Sequence, residues 1–168
     1  QESLVDLGLT VSAKEGVTIT MSGPADGNWF GVGFDTQFMA NSPYTIIVDG
    51  EGKVTERVLA DHAAGVVLST SVTITSNTVS DGKRTVVMTR ALKGLSPRHH
   101  DFEVQQLSLN FISAVGLSGT FGYHKAKTVS TVALWPQAAK GANAPAACIC
   151  SVPAAPFGQG TGTIQYLG

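Results

Sequence analysis

The sequence predicts an all-β protein that folds as an antiparallel sandwich or barrel, with one domain spanning residues 1–168. Polar and apolar residues alternate strictly in several short runs, which is typical of half-buried antiparallel strands. Segments rich in Gly, Asp, Asn and Pro separate these runs. Charged residues make up only 14% of the 168 residues, against a usual figure of about 25%. The Thr and Ser that replace them favour strands over helices.

The expected strands follow one another along the chain as short alternating runs. The clearest are "VTITM", "SVTITS" and, near the end of the chain, "TIQYL". In the second run, Val72 and Ile74 are expected to face the core, and the threonines between them to face solvent. The last run is expected to close a sheet as the C-terminal strand.

Turn residues and breaks define the elements between these strands. Asp81-Gly82 suits a type I′ turn and predicts a hairpin. Residues 27–48 read as a strand, a short polar break and a second strand. Residues 55–65 are expected to form a short helix or a loop. Residues 136–160 are rich in Ala, Gly and Pro, and we expect them to pack on the sandwich as an irregular segment.

Charge and hydropathy exclude several kinds of partner. A formal net charge of −1 gives no basic surface for nucleic acid and no polybasic membrane patch. The sequence contains no run of about 18 apolar residues, so it predicts no membrane-spanning helix. The chain begins at Gln1 without a basic and then apolar leader, which we interpret as a secreted or otherwise extracytoplasmic protein whose signal peptide has been removed.

Common catalytic motifs are missing, so the sequence does not predict an enzyme. Gly-x-Ser-x-Gly and Walker motifs are absent. His99, His100 and Asp101 are interpreted as a polar loop, because adjacent side chains on a strand point to opposite faces. The cysteines Cys148 and Cys150 are compatible with reduced thiols, a strained disulfide or half of a metal site. The absence of a second cysteine pair makes zinc the weakest of these.

Met39 and His124 are the remaining candidate ligands. Met39 lies in the polar break between two apolar strands, where the folding pattern requires no methionine. Such a methionine most often packs back on the core, and His124 at the start of a strand could be an ordinary surface histidine. Residue spacing alone leaves a joint ligand role and these simpler roles open.

Several motifs over residues 4–135 resemble a DOMON domain. The first half contains a strand that enters a Trp-x-Gly-x-Gly-Phe-like turn, then a methionine, an apolar strand and the "VTER" segment. The second half contains "RTVVMTRAL" and a segment that ends in a Tyr-His pair. The matching residues are Trp29, Gly31, Gly33, Phe34, Met39, Tyr123 and His124. The presence of both the methionine and the histidine is similar to the haem-binding subtype, which includes the cytochrome domain of cellobiose dehydrogenase.

The resemblance implies an immunoglobulin-like β-sandwich that binds a b-type haem and transfers electrons to or from a redox partner protein or domain. Met39 and His124 would be the axial ligands of the iron. The absence of Cys-x-x-Cys-His means that the haem would be held non-covalently. Lys125 or Lys127 would bind the haem propionates, with Arg57 and Arg90 as further cations; alternatively, these residues are ordinary surface charges. The expected pocket walls are Trp29, Phe30, Phe34, Phe38, Tyr44, Phe121 and Tyr123.

Two alternatives remain at this point. His62 could replace Met39 as an axial ligand, which would give a bis-histidine site of lower reduction potential. A sandwich without haem could instead bind a carbohydrate or a protein ligand, with Trp29 and Trp135 as stacking platforms.

Overall fold

Two β-sheets pack face to face and form a β-sandwich, as the alternating runs predict. The computed structural model describes residues 4–136, 147–151 and 163–167. The chain divides into two compact units, Gln1–Pro136 and Gln137–Gly168, and the sandwich belongs to the first. The packing of residues 136–160 on the sandwich stays a prediction, because most of that segment lies outside the described residues.

The strands of the first unit are short and are connected mostly by tight turns. In chain order they are β1 (Asp6–Ser12), β2 (Gly16–Pro24), β3 (Phe30–Phe34), β4 (Tyr44–Val48), β5 (Val54–Ala60), β6 (Ala63–Val67), β7 (Thr73–Ser80), β8 (Lys83–Arg90), β9 (Ser108–Gly116), β10 (His124–Ala133) and β11 (Trp135–Pro136). A single 3-10 turn, Met39–Asn41, lies between β3 and β4.

These eleven strands form two sheets. One sheet has the order β11-β1-β2-β8-β7, and the other has the order β10-β9-β3-β4-β5-β6. All pairings are antiparallel except that of the two-residue β11 with β1. The core lies between the sheets and consists of apolar side chains from both, including Ile19, Met88, Phe30 and Phe111. Burial of this apolar area is the main term that stabilises the sandwich.

Alternation predicts the inner face correctly in the central strands and fails at an edge. Val17, Ile19 and Met21 in β2 are fully buried, as their spacing predicts. Val72 is also buried, but Ile74 is 46% exposed. The reason is that Ile74 lies on β7, an edge strand of its sheet, which is paired on one side only.

Two hairpins show how turn residues set the topology. Asp81 and Gly82 both have positive φ, 51° and 72°, which confirms the predicted type I′ turn between β7 and β8. Residues 55–65, expected to be a helix or a loop, instead form the hairpin of β5 and β6. His62 takes a positive φ of 53° at the tip of this hairpin. The pairing of β5 with β4 stabilises the strand, whereas a short isolated helix is only marginally stable.

A buried carboxylate ties β5 to the segment that crosses between the sheets. Glu56 is 2% exposed and accepts hydrogen bonds from the Tyr44 hydroxyl, the Ser71 amide and hydroxyl, and the Val72 amide. Burial by itself raises the pKa of Glu56, but these hydrogen bonds outweigh it and hold the pKa below its usual value. Burial and the hydrogen bond to Glu56 both raise the pKa of Tyr44.

The second unit contains a two-stranded antiparallel sheet within the described residues. It consists of β12 (Ala147–Ser151) and β13 (Thr163–Leu167). The predicted strand "TIQYL" is therefore confirmed as β13, and it pairs with β12. Cys148 and Cys150 lie on β12, opposite Tyr166 and Ile164. Among the described residues, the structure has no helix long and apolar enough to span a bilayer.

Candidate functional site

A cavity of about 750 Å³ lies on the outer face of the six-stranded sheet. Its position follows from strand alternation, because Phe30, Val32 and Phe34 of β3 face the core and Gly31 and Gly33 therefore face outward. The strand neighbours of these glycines also line the cavity. They are Thr45 and Ile47 on β4, and Ile112 and Ala114 on β9.

Gly31 and Gly33 leave no space for side chains of their own in the floor of the cavity. A Cβ atom at Gly31 would lie 2.5 Å from Cδ1 of Ile47, and one at Gly33 would lie 2.9 Å from Cγ1 of Ile112. Side chains at either position would therefore push into the cavity or displace its neighbours. The Ile47 and Ile112 side chains occupy the space over the two glycines and form an apolar floor with Ala114.

Met39 reaches the cavity from the loop between β3 and β4. It is half-buried, and it begins the 3-10 turn that ends where Ser42 takes a positive φ of 52°. The hydroxyl of Thr36 organises this loop: it donates to the Phe38 carbonyl at 2.8 Å and accepts from the Phe38 amide and the Asn41 side chain. The loop thus holds Met39 at the cavity wall while β3 and β4 fix its ends.

His124 reaches the same cavity from the start of β10. It pairs with Gly116, whereas Ala126 pairs with Val115, so Lys125 is an extra residue that forms a β-bulge. The bulge breaks the alternation of β10 and puts His124 on the cavity side. The Tyr123 ring stacks on the imidazole, with the ring centroids 4.9 Å apart. Met39 and His124 therefore line one cavity from two separate elements.

Aromatic rings form one wall of the cavity, and a cation that does not itself line the cavity packs on this wall. Trp29, which is 2% exposed, contacts the edge of Phe121 with the ring centroids 4.8 Å apart. The Arg57 guanidinium lies 4.9 Å from the Phe121 ring centroid, and its Nε donates to the Ala64 carbonyl. Trp29 packs so closely on Gly116 that a Cβ atom would not fit at residue 116. The buried indole N–H of Trp29 has no hydrogen-bond partner within the described residues.

Two other aromatic side chains of the cavity are unusually exposed. Phe38 is 64% exposed and Tyr123 is 78% exposed. Both line the cavity near the candidate ligands. Large aromatic side chains are rarely left this exposed around an apolar concave surface unless a ligand or a partner covers them.

Several residues expected in the site lie elsewhere. Phe34 and Tyr44 pack in the core, 5.6 Å apart between ring centroids, because they face the opposite side of the sheet from Gly33. Phe30 is in the core as well. Lys125 does not line the cavity, since its ammonium pairs with Asp26 at 3.0 Å.

The remaining predicted residues divide between the cavity and the interior. Arg90 is buried and donates to the His100 carbonyl at 2.7 Å, away from the cavity. Lys127 does line the cavity. His62 lines it too, at the tip of the β5–β6 hairpin, where its Nδ1 lies 2.6 Å from the Asp61 carboxylate. The side chain of Trp135 lies outside the described residues.

Met39 and His124 offer only two donor groups, so they suit a metal whose remaining ligands belong to a cofactor. Met39 offers a neutral thioether and His124 an imidazole, and both are common axial ligands of haem iron. In the part of the chain that the structure describes, no three His, Cys, Asp or Glu side chains cluster in a way that could hold a bare metal ion.

We did not predict from the sequence that Gly31, Gly33, Ile47 and Ile112 form the floor of the cavity. The alternation of "FGVGF" could have indicated that the two glycines face outward.

No protein-family model matches the chain, and no curated protein matches it in sequence. The DOMON resemblance therefore stays a hypothesis that depends on the motifs themselves.

Proposed function

We propose that the domain binds a b-type haem non-covalently and transfers electrons, with Met39 and His124 as axial ligands of the iron. The supporting observation is that these two side chains, far apart in sequence, line the same cavity. Met39 arrives from a loop and His124 from a bulged strand of the same sheet. A six-coordinate haem needs one such donor on each face of the porphyrin, and a thioether with an imidazole is a common pair in that role.

The size and surface of the cavity support the same ligand. A volume of about 750 Å³ lies within the usual range of roughly 300–1,000 Å³ for cofactor sites. Its lining is mostly apolar, with Trp29, Phe38, Phe121 and Tyr123 as aromatic walls. An apolar lining excludes water, and it would supply most of the affinity for a ligand held without covalent bonds. Gly31 and Gly33 add no side chains of their own to this cavity.

The ligand pair determines what such a site would do. When bound, haem supplies a reversible one-electron change at its iron. The Met39 thioether favours the ferrous state, so we expect a higher reduction potential than a bis-histidine site would have. Met39 and His124 would both ligate the iron and leave no open position for oxygen or peroxide, which would favour electron transfer to a partner protein. The exposed rings of Phe38 and Tyr123 lie where such a partner could approach.

Axial ligation can be tested by titrating the full chain with hemin and recording absorption and electron paramagnetic resonance spectra. We expect the wild-type protein to give a low-spin spectrum and His124→Ala to lose it. Met39→Ala should also lose it or change it to that of a different ligand pair. His100→Ala is a matched control, because His100 is half-buried beside Phe34 and Phe102, away from the cavity. A low-spin spectrum that persists in His124→Ala would contradict the assignment.

Bis-histidine ligation by His62 and His124 is a second candidate, because His62 lines the same cavity. It differs in its expected outcome: His62→Ala would then lose the low-spin spectrum and Met39→Ala would keep it. The position of His62 favours Met39, since the His62 side chain is largely exposed and pairs with Asp61. Binding of a carbohydrate on Trp29 is less well supported, because the ring lies buried beneath Phe121.

A further inference from the structure

Only one of the four cations considered for the ligand's acidic groups lines the cavity. Arg57 does not line the cavity, and its guanidinium contacts the Phe121 ring and the Ala64 carbonyl. Lys125 pairs with Asp26, and Arg90 is buried in the interior. Lys127 lines the cavity and is exposed, and it has no ion-pair partner among the described residues.

The β10 bulge explains why Lys127 and His124 can serve one ligand. Residues three apart on a regular strand face opposite sides of the sheet. Here Lys127 pairs with Ala114 and His124 with Gly116, and both partners lie on the outer face that carries the cavity. The extra residue Lys125 therefore brings the imidazole and the ammonium to one face, with their backbones roughly 10 Å apart along the strand.

We infer that Lys127 binds a carboxylate at the edge of the ligand while His124 binds its metal. This inference rests on the proposed function and specifies the ligand as a metalloporphyrin with free carboxylate side chains. The Asp61 carboxylate also lines the cavity, but it is paired with His62, so Lys127 is the charge left to attract an anion. An ammonium on an otherwise apolar surface orients an amphiphilic ligand by drawing its acidic edge to one side.

The experiment compares two probes, hemin and hemin dimethyl ester, by the quenching of tryptophan fluorescence that each causes, since Trp29 lines the cavity. We expect Lys127→Met to weaken hemin binding about five-fold at low salt, as for an exposed charge pair. It should leave binding of the ester unchanged, and Lys127→Arg should restore hemin binding. Lys83→Met is the matched control, because Lys83 lies on β8 in the other sheet and its ammonium pairs with Asp6, and it should bind both probes like the wild type.

A second readout uses the wild-type protein alone, so it does not depend on the folding of a variant. Hemin binding should weaken as salt rises, whereas ester binding should not, because salt screens the exposed pair. Equal hemin affinities for Lys127→Met and wild type, or equal salt dependence for the two probes, would overturn the role of Lys127 and leave the proposed function intact. No binding of either probe by the wild type would overturn both.

Discussion

Gly33 shows how one residue fixes the shape of the cavity. It alternates with Val32 and Phe34, which face the core, and so it lies on the outer face beside Thr45 and Ile112. A Cβ at this position would come within 2.9 Å of Ile112 and 3.2 Å of the Thr45 hydroxyl. A side chain at this position would therefore displace Ile112 and Thr45 or extend into the cavity.

Replacing Gly33 by valine should block the cavity without unfolding the domain. The added methyl groups extend over the floor, and we expect hemin affinity to fall at least ten-fold. The free energy of unfolding should change by less than about 2 kcal/mol, since mild overpacking is partly offset by the strand preference of valine. Hemin titration and urea denaturation measure the two effects.

Gly8→Val is the matched control for this change. Gly8 lies on β1 in the other sheet, and an added Cβ would meet its nearest neighbour, Thr20, at an ordinary 3.6 Å. This variant should bind hemin like the wild type. Equal hemin affinities for Gly33→Val and Gly8→Val would show that the ligand does not lie on the outer face of the six-stranded sheet.

At the scale of elements, the loop between β3 and β4 determines where Met39 lies. The Thr36 hydroxyl makes three hydrogen bonds within this loop, and the Thr36 amide donates to the Asn110 carbonyl of β9. The 3-10 turn buries no side chain fully. Its conformation therefore depends more on these hydrogen bonds than on packing.

Replacing Thr36 by valine should loosen the loop and weaken ligation by Met39. The isosteric change removes the hydroxyl, and we expect a loss of about 1–2 kcal/mol in the free energy of unfolding. In the hemin-bound protein the low-spin fraction should fall. Thr36→Ser retains the hydroxyl and should stay close to the wild type in both measurements. A Thr36→Val variant with an unchanged low-spin fraction would mean that Thr36 does not position Met39.

At the scale of the whole molecule, the Glu56 network links the six-stranded sheet to the crossover that leads to β7 in the other sheet. The carboxylate receives four hydrogen bonds, three of them from Ser71 and Val72. Because these bonds favour the ionised form, the pKa of Glu56 lies below its usual value in the folded protein. Stability that depends on this ionised group is complete above the unfolded pKa of about 4.3 and is lost as pH falls through the lower folded pKa.

The free energy of unfolding should therefore decrease as pH falls below about 4.3. Glu56→Gln should reduce this pH dependence and lower stability at neutral pH, because the variant lacks the charged acceptor. Part of the dependence should remain, since hydrogen bonds from Lys125 and from the Gly94 amide lower the pKa of Asp26 and of Asp101. Urea denaturation between pH 3 and pH 7 measures the slope, with the exposed Glu51→Gln as control. An identical slope in Glu56→Gln and wild type would contradict the role of this carboxylate.

The sequence predicts the sandwich well because its strands carry local patterns. The alternation of β2 and the Asp81-Gly82 turn depend on neighbouring residues only, and both appear as expected. The β5–β6 hairpin was not predicted, since its pairing with β4 is a tertiary contact that residues 55–65 do not encode locally.

The candidate site is predictable in part, for similar physical reasons. The motif resemblance singled out Met39 and His124, and the structure places both on one cavity. Strand parity could have assigned Phe34 to the core. The sequence left Lys125 and Lys127 both open, and it could not show that only Lys127 lines the cavity, because that depends on a bulge that no local pattern in "YHKAK" indicates. The Glu56 network also escaped prediction, since its partners come from separate segments.

The most direct test of the central claim is the visible absorption spectrum of the full chain after one equivalent of hemin and reduction by dithionite. Ligation by Met39 and His124 predicts a stoichiometric complex with the sharp α-band of a low-spin ferrous haem. A spectrum identical to that of free hemin, or a colourless protein after removal of unbound hemin, would contradict the account.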